Sequence, residues 1–280
     1  CGFHVWSVMQ DSMVLRVVPS GDRASRLGQI NSVAAAATLA GMGIVSLAGR
    51  FVTTLRPFFV AAAVVGIGGG LLALLLKPGA AKTRKAAIVF RRQYRSYYIL
   101  TLLQGARRHI VQTFAGFALV KLFGTPVSTM ALLLALQSFL AIWTRPLIGK
   151  LIDRLGEQRA LSINYGAVAT IFLGYAFIRN PWVYYVLFAT DNVLTGFDIA
   201  VSTHAGRIIK NEELSSSLAT GTTINHIFGV SVPIIGGWLW ERFNPMVPFL
   251  MGVGIVLVAM AYSWNLDART AAAVREQEAM

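Results

Sequence analysis

Cysteine occurs once in the chain, at Cys1. A single thiol excludes an intrachain disulfide and a cysteine metal site. Charge is scarce as well: Asp, Glu, Lys and Arg make up 13% of the 280 residues, where an average soluble domain carries about 25%. Acids are scarcer than bases, 12 against 25. No His/Asp/Glu group has metal-ligand spacing, so neither a metal nor a cofactor is expected. Gly41-Met42-Gly43 and Gly68-Gly69-Gly70 lie inside apolar runs. They follow no strand and precede no phosphate-binding helix, and no Walker lysine pattern occurs, which removes a nucleotide site and ATP-driven chemistry.

What the chain has instead is apolar sequence, 55% of its residues, arranged in blocks of about twenty separated by short polar stretches. Blocks of that length cross a bilayer as helices. The expected class is therefore all-α integral membrane, with eight or nine spans. These fall at residues 1–18, 28–49, 55–76, 96–122, 126–148, 160–178, 182–206, 214–240 and 246–265. Pro57, Pro126, Pro181 and Pro245 sit near span starts, where a missing backbone donor costs least.

The basic residues are placed unevenly. If the chain alternates sides, one side receives eighteen of the 25 Lys and Arg, from Arg16, Arg23 and Arg26 through the cluster 77–95 to Arg269 and Arg275. The other receives only Arg50, Arg56, Lys121, Arg179 and Arg242. This is the positive-inside pattern, and it assigns the rich side to the cytoplasm. The high isoelectric point thus reports topology, and no nucleic-acid partner is expected. The partners expected are a lipid bilayer, a small-molecule solute and protons.

One stretch stands out, Arg145-Pro-Leu-Ile-Gly-Lys-Leu-Ile-Asp-Arg-Leu-Gly-Glu-Gln-Arg159, read as a short basic loop between two spans. Gly149, Asp153, Arg154, Gly156 and Arg159 match the signature loop of the major facilitator superfamily of transporters, which the chain resembles over its whole length. Glu157 departs from it, standing where the family has a basic residue. The resemblance implies a twelve-helix fold in two halves. Residues 1–76 would then hold the end of helix four with helices five and six. Residues 77–95 would be the basic cytoplasmic linker, 96–266 the second six-helix bundle, and 267–280 a cytoplasmic tail. The first-half copy of the loop would precede Cys1, so a fragment lacking its first helices is expected, from a bacterial-type inner membrane. The family's antiporter motif is absent at Gly41–Gly43, which leaves direction open. An internal repeat at an offset of 194 residues aligns Gly2-Phe3 with Gly196-Phe197 and Ile30-Asn31 with Ile224-Asn225.

Two sets of residues carry the expected function. In the loop, Asp153 can accept hydrogen bonds from a neighbouring helix N-terminus, or pair with Arg154 or Arg159, as a conformational latch. Inside the span 96–122, Arg107 lies about 15 Å deep, where a charge costs at least ~3 kcal/mol without a partner or a polar cavity. Gln104, Arg108 and Gln112 share one face, and Arg107 and His109 point about 100° to either side. In the span 182–206, Asp191, Thr195, Asp198 and Ser202 form one stripe, with Asn192 beside it and Asp191 level with the arginines. An Arg–Asp pair across a central cavity is the expected substrate and coupling site. The polar residues Thr222, Asn225 and His226 read either as a gate or cavity wall or, more simply, as helix packing through small neighbours, and His4 and His204 as interfacial. The expected activity is secondary transport of an anionic or zwitterionic solute by alternating access, coupled to protons and without enzyme chemistry. The alternatives are a lipid-modifying enzyme, which would need its acid/base groups at headgroup depth, and a transporter-like scaffold or sensor without flux.

Overall fold

The structure is a computed structural model that describes residues 2–48, 51, 54, 56–75 and 89–278. All regular structure among them is helical. Twelve helices follow in order: α1 Gly2–Val17, α2 Arg23–Ala48, α3 Arg56–Leu74, α4 Arg95–Ile110, α5 Gly116–Phe123, α6 Val127–Leu155, α7 Glu157–Phe177, α8 Pro181–Leu194, α9 Ile199–Ile208, α10 Leu214–Arg242, α11 Val247–Ser263 and α12 Leu266–Glu278. Residues 77–88 of the expected linker lie outside the described residues. Its end folds back: a 3-10 turn at Arg92–Tyr94 leads into α4, and Tyr94 Oη donates to Glu213 Oε2 at 2.8 Å beside the Arg91–Glu213 ion pair.

Five helices are each long and apolar enough to cross a membrane, namely α2, α3, α6, α7 and α10. The pair α11 and α12, bent by 55°, makes a sixth. The other expected spans are short or broken. α1 has 16 residues; α4 and α5 are joined through a π turn at Val111–Ala115; α8 and α9 are joined through a 3-10 turn at Thr195–Asp198. Such irregular turns inside a helix leave backbone groups to be satisfied locally and are concentrated at functional positions.

The expected loop at 145–159 is not a loop. α6 runs on through Leu155, and the only break is Gly156, whose φ of 78° lies in the left-handed region that favours glycine. The apolar block ends near Pro146, but the helix does not, because its last turns are held against α2. Likewise the tail after Asp267 is the helix α12, tied back through Asp267 N–H to Gln158 Oε1 at 2.9 Å.

The core is densest among α4, α7, α8, α10 and α11. There Tyr165, Phe172, Tyr175, Tyr184 and Phe249 are fully buried and Tyr175 stacks on Phe249. α8 starts cleanly: Pro181 occupies its first turn and Asn180 Oδ1 accepts from the N–H groups of Trp182 and Val183. α2 pairs most extensively with α6, and α3 buries no residue.

Candidate functional site

A cavity of about 690 Å³ lies between α1 and α2 on one side and α4, α6, the 181–208 segment and α10 on the other. Gln104, Arg108 and Gln112 line it together, as their shared face requires. Asn192 and Asp198 line it from the opposite helix segment. Arg107 and Asp191 do not, which corrects the expectation of a pair across the cavity. Arg107 turns into the second set of helices, where it is 1% exposed. Its Nη2 donates to Asp198 Oδ1 at 3.0 Å, and its Nη1 stands 3.5 Å from Asp191 Oδ1. The pair is thus a triad within one set of helices, and only Asp198 opens onto the cavity.

The triad is unevenly charged, with one guanidinium facing two carboxylates. Burial of such groups is tolerable only with close partners. Tyr165 and Tyr175 of α7 flank it, their hydroxyls buried without a hydrogen bond, as are Arg107 Nε and Nη1. The π turn begins four residues after Arg107, and the 3-10 turn ends at Asp198. Each chain segment therefore leaves regular α-helix within about a turn of the triad, and Asp198 itself lies in the irregular turn.

Two charged residues of the cavity were not legible as such. Asp11 of α1 lines it and accepts from Ser202 Oγ at 3.2 Å. An acid within a 16-residue apolar helix was the signal available. Arg145, assigned to a surface loop by its charge, lines the cavity and donates from Nη1 to the Asn31 carbonyl at 3.1 Å. Thr222, Asn225 and His226 also line the cavity, which favours the cavity-wall reading over the simpler one of helix packing. Asn225 Oδ1 meets His109 Nε2 at 3.1 Å. The aligned residues Asn31 and Asn225 thus both face the same space. His204 is buried rather than interfacial, between Ser96 Oγ at 2.9 Å and Thr270 Oγ1 at 3.4 Å. The side chain of His4 lies outside the described residues.

One end of the cavity is closed. Next to Leu27, Asn31 and Arg145, α2 packs directly on α6. A Cβ on Gly149 would come within 2.9 Å of the Ala24 carbonyl carbon and of Ser25 Cα, so only glycine permits this approach. One turn further on, Asp153 accepts from the backbone N–H groups of Ala24 at 3.1 Å and Ser25 at 2.7 Å. These are otherwise unpaired donors in the first turn of α2, at its positive dipole end. Of the alternatives open in the sequence, the neighbouring helix N-terminus is the one realised. Arg154 and Arg159 are exposed and make no ion pair among the described residues.

Arg23 and Ser32 of α2 add two contacts across this seal, and one ion pair within the second set of helices lies beside it. Arg23 donates to the carbonyls of Val18 and Gly206, at 3.0 and 2.9 Å. Arg207 Nε pairs with the buried Glu157 at 3.0 Å, which gives the one departure from the loop signature a partner. Pro146 has no N–H to offer the Ile142 carbonyl four residues before it, and Ser32 Oγ of α2 donates to that carbonyl instead, at 2.5 Å.

Comparison with known proteins accords with this geometry. The family model of the Major Facilitator Superfamily matches residues 6–203 and 119–279. Curated relatives include proteins named "Multidrug resistance protein MdtG" from Salmonella heidelberg (strain SL476) and Salmonella newport (strain SL254). Each is 25% identical over 129 residues, which cover 45% of this chain and 31% of the relative's length. With nearly every residue inside a family match, an all-helical membrane bundle and a polar cavity between two sets of helices, the chain belongs to the Major Facilitator Superfamily.

Proposed function

We propose that the protein is a secondary active transporter that moves a small anionic or zwitterionic solute by alternating access, coupled to protons. The observation that carries this reading is the cavity between two helix sets, sealed at one end by contacts that cross between them. Arg108 and Arg145 offer cationic groups to a solute anion, and Asp11 accepts an opposite charge. The triad supplies coupling: one proton on Asp198 or Asp191 balances the excess carboxylate and frees Arg107 from one partner, which changes the conformation favoured. In this reading the basic end faces the cytoplasm of a bacterial-type inner membrane, residues 77–95 join two bundles, and the Gly149–Arg159 segment is the latch.

The relatives' name favours a second reading of the solute, export of chemically diverse organic compounds. Flux of carboxyfluorescein and of a cationic rhodamine dye, measured in cells with and without a proton gradient, separates the two. The first reading expects gradient-dependent carboxyfluorescein flux. Arg108→Ala should raise its KM about tenfold, the weight of one charge-assisted contact, and Asp198→Asn should remove the gradient dependence. Rhodamine flux without carboxyfluorescein flux selects the second reading. Flux of both dyes unaltered by either variant would overturn the site.

A further inference from the structure

A charged feature separate from the cavity lies at the basic end, a cleft of about 200 Å³ between the start of α4 and α12. Arg92, Arg95 and Arg269 line it, with Ser96, Tyr262 and Asn265, and no acid does. Among the described residues the side chains of Arg92 and Arg95 make no ion pair or hydrogen bond, whereas that of their neighbour Arg91 is held by Glu213. Arg269 places its guanidinium 4.1 Å above the Tyr262 ring, with its Nε buried and without a hydrogen-bond partner. Three cations around one small space repel each other unless an anion lies among them. A phosphate suits the space and the donors, because guanidinium groups match its oxygens in pairs.

The surroundings decide the source of that phosphate. Trp264 is 66% exposed at the bend between α11 and α12, and Phe90 is 74% exposed just before the 3-10 turn. Exposed tryptophan at a span end marks headgroup depth. Ala268 and Ala272 give the cleft an apolar flank on α12. We propose that this cleft binds the phosphate of an anionic phospholipid in the leaflet that meets the basic end. Basic pockets between helices at a membrane surface hold such headgroups by the same chemistry. The proposal needs the bundle in a bilayer and does not depend on transport.

The test uses the purified chain in nanodiscs of phosphatidylcholine mixed with phosphatidylglycerol. After detergent release, native mass spectrometry counts the lipids that stay bound. Phosphatidylglycerol is expected to stay and phosphatidylcholine to leave. Arg92→Ala with Arg269→Ala should lower retention by about tenfold or more. Ala272→Phe fills the cleft with every charge in place and should lower it as well. Equal retention by both variants, each eluting as a single species on size exclusion, would overturn the site. Displacement of phosphatidylglycerol by inorganic phosphate at matched concentration would overturn the lipid assignment in favour of a free-anion site.

Discussion

Arg107 and Asp153 are both charged groups in a bundle of apolar helices, yet they are held in different ways. Arg107 is enclosed by helices of its own set, with both carboxylate partners on the 181–208 segment. Asp153 reaches from α6 to the start of α2, in the other set. An enclosed ion group persists as long as its helices stay packed. A contact between sets exists only while the sets are together. The same chemistry thus ties helices within one set in one place and joins the two sets in the other, which is what the proposed alternating access would require of a latch.

The sharpest way to break the comparison is Arg107→Ala. It leaves the buried Asp191 and the cavity-lining Asp198 without their cation, and loss of one partner of a buried ion group costs about 3–5 kcal/mol. A marked fall in melting temperature is expected by fluorescence-detected size exclusion. Adding Asp191→Asn and Asp198→Asn should recover part of it. A variant as stable as the parent would remove the triad's cohesive role. Gly149→Val should act oppositely, leaving each set folded but holding α2 off α6. The expected result is near-normal expression with dye flux lowered by tenfold or more, since a β-branched side chain cannot enter a space closed even to a Cβ. Asp153→Asn should have the smallest effect, removing the charge from two hydrogen bonds worth about 1.5–3 kcal/mol each when ionised. A cysteine placed at Leu27, with Cys1→Ser, should react about tenfold faster with a water-soluble maleimide from the basic side once the seal loosens. An unchanged rate would mean that Asp153 does not hold the seal.

Much of this was legible in the sequence. Apolar block length gave the helices, and four-residue spacing put Gln104, Arg108 and Gln112 on one face that the cavity uses. The depth of Arg107 required a partner, and Asp191 and Asp198 supply it. What the sequence did not carry was direction. Helix geometry put Arg107 about 100° off the face of Gln104, Arg108 and Gln112, but which neighbours it meets on that side depends on long-range packing, which no local residue pattern announces. Arg145 was misplaced because charge and Pro146 suggested a helix end, whereas α6 continues where α2 supports it. Asp11 was missed because its partner, Ser202, lies 191 positions away. The fold brings the two together, and no local periodicity does.

Pro146 gives the seal one more property. The carbonyl it leaves free on Ile142 has its hydrogen bond supplied by Ser32, from the helix that would move away under the proposed alternating access. When the two part, that oxygen is stranded in an apolar wall unless a water molecule reaches it. Opening at this end, as alternating access requires, would therefore be a wetting event as much as a mechanical one. Its rate should fall with water activity, so that osmolytes slow it even where every side chain stays in place.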